Sequence, residues 1–351
     1  MNALVFPFRD RFGGAAGQPG PGQTFEVAPG IHWLRMPLPY RLDHINLWLL
    51  EDGEGWVIVD TCIRSKRTKT LWREVAKAMR IGRDYDRPVK RLVCTHFHPD
   101  HMGLAGWIVR EYDTQLWTTR SEWLFGRMLW LDAEGEGQRD IAKHYARHGL
   151  DAPRVADVAQ RGNTYRMVVG EPPRAFNRLR HGDTIAIGGR AWTVIVGLGH
   201  SPEQACLYCA EAGVLIAGDQ ILPRITPNIG VWATEPLADP LTDYLASLER
   251  FRGLPEDTLV LPSHGYPFTG LNLRLDQLQG HHEERLDTLA KAMTRAGQTT
   301  VELLPALFRA DLDNFQIGFA LGETLAHLAC LEGRGRAARE ESNGVVRFRA
   351  T

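Results

Sequence analysis

The chain has 351 residues, 44% of them hydrophobic and 24% charged, which are ordinary values for a globular protein and exclude a disordered chain, a coiled coil or a collagen-like chain. Lys and Arg number 41 against 42 Asp and Glu, a formal charge of -1. That balance argues against a broad nucleic-acid-binding surface, which needs a basic excess. At roughly 100–200 residues per domain, the length fits one large unit and a smaller one. No apolar run reaches the roughly 20 residues of a membrane span. The start, Met1–Asp10, lacks the layout of a signal peptide, and five cysteines are few and odd in number. A cytoplasmic protein is expected, with no membrane partner.

In chain order, residues 1–22 read as a flexible leader, because 13–22 are Gly/Pro-rich with nothing to bury. Ile31–Met36, His44–Leu50 and Trp56–Asp60 read as strands, the last two joined by a turn-rich EDGEG. Residues 66–80 place Leu71, Trp72, Val75 and Met79 at helical spacing. A strand at Val89–Cys94, a helix over Gly103–Tyr112 and a strand at Gln115–Thr118 follow. This alternation argues for an α/β sandwich. Residues 120–170 interrupt it with two amphipathic helices, Ser121–Leu131 and Gln138–Gly149, which read as a helical insert. Strands resume at Trp192–Gly197, Ala205–Ala210 and Val214–Ala217, then a helix at Pro240–Arg252 and a strand at Thr258–Pro262.

From 273 to the end the pattern is three helices and a hairpin, a small winged-helix-like unit. Thr299-x-x-Glu302 is a capping box, and Ser342-Asn343-Gly344 is a hairpin turn. Residues 276–351 carry 9 Lys and Arg against 11 Asp and Glu, the wrong sign for reading nucleic acid.

The chemistry concentrates in His96-Phe97-His98-Pro99-Asp100-His101, which directly follows the apolar run RLVCT. Four of its six residues can bind a metal. A tetrahedral site needs donors about 2.0–2.2 Å from the ion, so one compact loop serves two neighbouring ions better than one. Further ligands must come from elsewhere. Gly199-His200-Ser201, Gly218-Asp219 and Ser263-His264-Gly265 each end an apolar strand beside a glycine.

With these motifs in this order, the chain resembles the metallo-β-lactamase-fold hydrolases over about residues 25–270. The resemblance implies an αββα sandwich over residues 23–272 and two divalent cations, with zinc preferred and iron or manganese also suited to His and Asp donors. It implies His96, His98 and His200 on one ion, Asp100, His101 and His264 on the other, and Asp219 bridging both. Asp60, ending VIVDT, matches an aspartate that orients a ligand histidine. Cys62 stands where the family often has glycine.

Two cations sharing a water bring its pKa from 15.7 to near 7. The expected reaction is attack by the bridging hydroxide on a small thioester, ester or lactone, similar to that of hydroxyacylglutathione hydrolases, with Asp219 and Asp100 as catalytic carboxylates. The alternatives are an endoribonuclease or phosphodiesterase of the same fold, an iron-dependent persulfide dioxygenase, and a metal-binding regulator acting through the tail. A homodimer is a further expectation.

Several residues have competing readings. The loop 223–228 either touches substrate through Arg224 or Asn228 or is plain structure. Cys206-x-x-Cys209 reads as buried thiols, His144 and His148 as a surface face, and His281 and His282 as a helix cap or domain contact.

Overall fold

A computed structural model describes residues 3–9, 18–309 and 311–351. Strands β1 (Thr24–Ala28), β2 (Ile31–Pro37), β3 (His44–Asp52) and β4 (Gly55–Val59) form an antiparallel meander. Helix α1 (Lys66–Met79) leads to β5 (Val89–Val93), which pairs parallel to β4. The short α2 (Pro99–Met102), α3 (Ala105–Tyr112) and β6 (Leu116–Thr118) follow. The insert holds four helices where two were expected: α4 (Arg120–Leu131), α5 (Glu136–Arg147), α6 (Ala152–Gln160) and α7 (Thr164–Val168). The two-residue β7 (Asn177–Arg178) then completes a sheet ordered β1-β2-β3-β4-β5-β6-β7.

The second sheet is built from β8 (Thr184–Ile187), β9 (Arg190–Gly197), β10 (Gln204–Cys209) and β11 (Val214–Gly218). After α8 (Pro240–Leu248), β12 (Leu259–Pro262) pairs parallel to β11, giving the order β12-β11-β10-β9-β8. The chain ends in α9 (Leu271–Ala292), α10 (Thr300–Leu307), α11 (Gln316–Gly333) and the ribbon of β13 (Ala337–Ser342) and β14 (Val345–Ala350). The expected capping box is present at Thr299, and Asn343 and Gly344 both take positive φ, as a two-residue hairpin turn requires.

The layers follow from strand alternation. In β4, Val57 and Val59 join Trp33, Trp48, Trp192 and Val194 in the core between the sheets. Trp56 and Ile58 point the other way, onto Trp72 and Val75 of α1 and Ile108 of α3. The outer face of the second sheet, with Ile195, Leu215 and Val260, packs on α8, α9 and α11. The result is an αββα sandwich. Both sheets are covered on both faces, so their central strands read as near-continuous apolar runs.

Two expectations need adjustment. The tail shares one hydrophobic core with the outer helix layer and the insert: Tyr145, Tyr244, Leu278 and Leu321 lie in the same cluster. His144 and His148 are buried, not on a surface face, because α5 packs against β14, where the His148 ring stacks on Phe348 at 6.4 Å. Of the expected leader, residues 1–2 and 10–17 lie outside the described residues. Within 3–9, Val5 pairs with Thr269, and Phe8 is buried against Phe25. No helix among the described residues is long and apolar enough to cross a membrane.

Candidate metal centre

β4, β5, β9, β11 and β12 all run toward one end of the sandwich, and the residues just beyond them meet there. Asp60 follows β4, the 96–101 loop follows β5, His200 follows β9, Asp219 follows β11 and His264 follows β12. Glycine is required in this packing at Gly199, where φ is 93° and an added Cβ would strike the Pro240 carbonyl and the Tyr244 side chain.

The ring and carboxylate atoms form three overlapping groups with ligand atoms within 4.8 Å of one another: His96, His98 and His200; His96, His101 and Asp219; and Asp100, His101 and His264. Asp219 lies between the outer two groups. Its Oδ2 is 3.4 Å from His200 Nε2 and 3.5 Å from His264 Nε2, and its Oδ1 is 3.5 Å from His101 Nε2. Asp100 Oδ2 is 3.4 Å from His264 Nε2.

For four of the five histidines the other nitrogen is held by an acceptor, which fixes the tautomer; His98 Nδ1 instead lies 3.0 Å from His96 Nε2. His200 Nδ1 donates to the Asn228 carbonyl and His264 Nδ1 to the His44 carbonyl, both at 2.8 Å. His101 Nδ1 donates to Asp60 at 2.8 Å. The Asp60 carboxylate also accepts from the Thr95 amide and the Thr95 hydroxyl, whose oxygen lies 3.0 Å from His96 Nδ1. Asp60 therefore aims His101 directly and His96 through Thr95.

The remaining Nε2 atoms of His101, His200 and His264 thus face carboxylates, which offer no proton, and that of His96 faces His98 Nδ1. His101 Nε2, His200 Nε2 and Asp219 Oδ1 are buried without a hydrogen-bond partner. A buried polar atom without a partner is costly, and a cation between these acceptors removes the cost at a stroke. The donor set is all nitrogen and oxygen, which suits zinc, iron or manganese.

The pKa shifts report the same crowding. Burial opposes charge on His264, but Asp219 and Asp100 outweigh it and push it up to about 10. His101 is likewise raised by Asp60, Asp100 and Asp219 against its burial. Burial and the neighbouring His200 push His98 down to about 3. Burial works against the Asp100 anion, yet His101 and His264 bring it down to about 2.

Sequence reading passed over Glu122. Its carboxylate is fully buried at the start of α4, where it accepts from the Phe97 amide at 2.9 Å, the Ser201 hydroxyl at 2.8 Å and the Glu203 amide at 2.7 Å. It ties the 96–101 loop to the 199–203 loop. Burial, partly offset by these three donors, pushes its pKa up to about 7. The His44 and Asn228 carbonyls were equally invisible as supports of His264 and His200.

Of the two residues suggested for loop 223–228, Asn228 reaches the centre through its backbone. Its side chain donates to Glu323 of α11 at 2.9 Å. Arg224 is exposed and lies over the Phe6 ring, 5.4 Å from its centroid, away from the cluster. Cys62 adopts φ 74°, the left-handed region that favours glycine. Its thiol is buried 3.8 Å from the Pro37 carbonyl, and burial pushes it up to about 12, so it stays protonated and outside the ligand groups. Cys206 and Cys209 are free, buried thiols.

Comparison with known proteins gives a consistent picture. The model of the metallo-beta-lactamase superfamily matches residues 40–264, and that of the metallo-beta-lactamase-like C-terminal domain matches 286–351. A solved beta-lactamase domain protein from Burkholderia ambifaria is 42% identical with a TM-score of 0.88, covering 99% of this chain and 98% of its own. A probable metallo-hydrolase of Bacillus subtilis is 22% identical, covering 85% of this chain and 91% of its own. An acyl-coenzyme A thioesterase of Homo sapiens is 24% identical over 68% of this chain and 79% of its own.

Proposed function

Because this chain belongs to the metallo-beta-lactamase superfamily, we propose that it is a hydrolase that cleaves a small thioester, ester or lactone over two divalent cations. The observation that carries this reading is the position of Asp219. One of its oxygens is near-equidistant from His200 of one three-ligand group and His264 of the other. A carboxylate so placed can serve two ions at once, with His96, His98 and His200 on one side and Asp100, His101 and His264 on the other.

Cations held there would polarise the scissile carbonyl and lower the pKa of bound water toward about 7. The chain's own residues supply the rest. Asp60 and Thr95 hold two rings in the tautomer that presents a lone pair. The carbonyls of His44 and Asn228 do the same for His264 and His200. Asp219 and Asp100 carry the negative charge that keeps the ions together, and Asp219 is placed to take the proton released as water attacks. Glu122 fixes the distance between the two loops that carry the ligands.

A thioester is favoured among the substrates because the relative from Homo sapiens is named an acyl-coenzyme A thioesterase. A nucleic-acid substrate fits less well, since neither the whole chain nor its tail carries a basic excess.

The test is elemental analysis of the purified protein and of Asp219→Ala, followed by a thioester and lactone screen. Two zinc ions per chain, falling in the variant together with turnover, support the reading. One iron per chain redirects it to sulfur oxidation, and no metal after reconstitution sinks it.

A further inference from the structure

Beside the ligand cluster lies a cavity of about 700 Å³, walled by residues 40–42, Asn228, Phe308, Arg309 and residues from Asp311 into α11. Its volume is within the range of roughly 300–1,000 Å³ typical of small-molecule sites. One of its walls is a backbone support of the metal centre, and a second wall lies a few residues before another such support. Asn228 lines it, and its carbonyl accepts from His200. Residues 40–42 run directly into His44, whose carbonyl accepts from His264. Tyr40 itself lines the cavity.

The surface of this cavity is unusual for exposed protein. Phe315, just before α11, and Phe319 on it are 62% and 42% exposed, with ring centroids 5.1 Å apart, and Tyr40 is 43% exposed. Leu312 adds to the apolar wall. Large apolar side chains gathered beside a reactive centre leave apolar area that a ligand removes from water. The charged residues of the lining give no cationic excess: Arg41 and Arg309 are set against Asp311, Asp313 and Glu323. A phosphate-rich group finds no net cationic pocket there, whereas a neutral hydrocarbon chain meets aromatic faces.

We propose that this cavity takes the acyl chain of a medium-chain acyl thioester, whose carbonyl lies at the His/Asp cluster. The inference rests on the hydrolase reading above and specifies its substrate. The acyl side occupies the cavity, and the thiol leaving group departs on the other side of the metals. Chain length is therefore a specificity determinant, read chiefly by Phe315 and Phe319.

The experiment has two arms, each run on the full metal-loaded chain and on F315A/F319A, with thermal melting as the folding control. The first measures kcat/KM for acetyl, butyryl and octanoyl thioesters of one thiol, N-acetylcysteamine, and for acetyl thioesters of longer thiols. The expected result is a rise of about fourfold per methylene of the acyl chain. Lengthening the thiol should give no such rise. The octanoyl-to-acetyl ratio should fall at least tenfold in the variant. The second arm measures octanoate binding by calorimetry, with butyrate as the headgroup control. Octanoate should bind more tightly than butyrate, and the variant should lose the difference.

Acetyl turnover with no dependence on acyl length overturns the inference and leaves the hydrolase reading standing. A gradient that follows the thiol instead also overturns it. Failure to turn over any thioester, with octanoate binding still sensitive to Phe315 and Phe319, removes the hydrolase reading and supports the cavity. Equal binding of octanoate and butyrate overturns it.

Discussion

Asp60→Asn changes neither the volume nor the shape of a buried side chain, yet it should weaken one metal more than the other. Asp60 accepts from the Thr95 amide at 2.8 Å, the Thr95 hydroxyl at 2.9 Å and His101 Nδ1 at 2.8 Å. An asparagine has one acceptor oxygen and one donor NH2 for the same partners. If the oxygen stays on the Thr95 amide, the NH2 faces His101 Nδ1 and drives that ring to the other tautomer. The proton then sits on Nε2 and blocks the ligand position. If the oxygen turns to His101, the NH2 meets the Thr95 amide and leaves a buried donor unpaired, at about 1–3 kcal/mol. The second outcome sets two buried donors against each other, so the first is expected, and its loss falls on His101 and hence on the group of Asp100, His101 and His264. Loss of such an outer partner typically costs about 10–100-fold in metal affinity, or about 1.4–2.8 kcal/mol. A zinc titration against a competing fluorescent chelator should show one step weakened by that factor. The other step, from His96, His98 and His200, should move much less. Two steps of native affinity, or a loss confined to the latter group, would refute the tautomer argument.

Glu122 gives a pH signature. Its pKa rises from an ordinary 4.5 to about 7 on folding, so the native state holds this proton more tightly than the unfolded chain. Stability therefore falls as pH rises through the window from 4.5 to about 7, by about 3 kcal/mol for this one group. Urea midpoints for Glu122→Gln should be flatter across that window than for the native protein; parallel curves would remove the assignment. Glu122→Ala should also lower the urea midpoint, because three buried donors lose their acceptor at about 1–3 kcal/mol each. The five cysteines are all free and buried. A thiol reagent should react with none of them in the folded protein and with all five after denaturation, and fast modification of Cys62 in the native state would contradict its placement.

The parts of the centre that sequence revealed share one property: each is a side chain whose chemistry is rare and whose position is set locally. His96, His98, Asp100 and His101 sit in one loop, and His200, Asp219 and His264 each stand just past an apolar strand, so strand ends alone predict their convergence. Asp60 came instead from the resemblance to the metallo-β-lactamase-fold hydrolases, which implies an aspartate at this strand end. What sequence could not reveal was held by tertiary contacts. The acceptors for His200 and His264 are backbone carbonyls at Asn228 and His44, and any residue type offers a carbonyl. Glu122 looks like an ordinary acidic residue in a helix's first turn until α4 is laid across both ligand loops. The tail shows the same divide. Its helices, capping box and hairpin were legible from period and turn residues. Its fusion to the outer layer was not, because apolar stripes on α9 and α11 do not say which surface they cover.

That fusion matters for function. Glu323 of α11 accepts from the Asn228 side chain and pairs with Arg285 of α9 at 3.0 Å, while the Asn228 carbonyl holds His200. The tail thereby reaches His200 of the candidate centre through Asn228 alone, and Phe315, just before α11, and Phe319 on it line the cavity. A change in the tail that shifts α11 should move substrate preference and the His200 support together. A tail that were only an appended module would move neither.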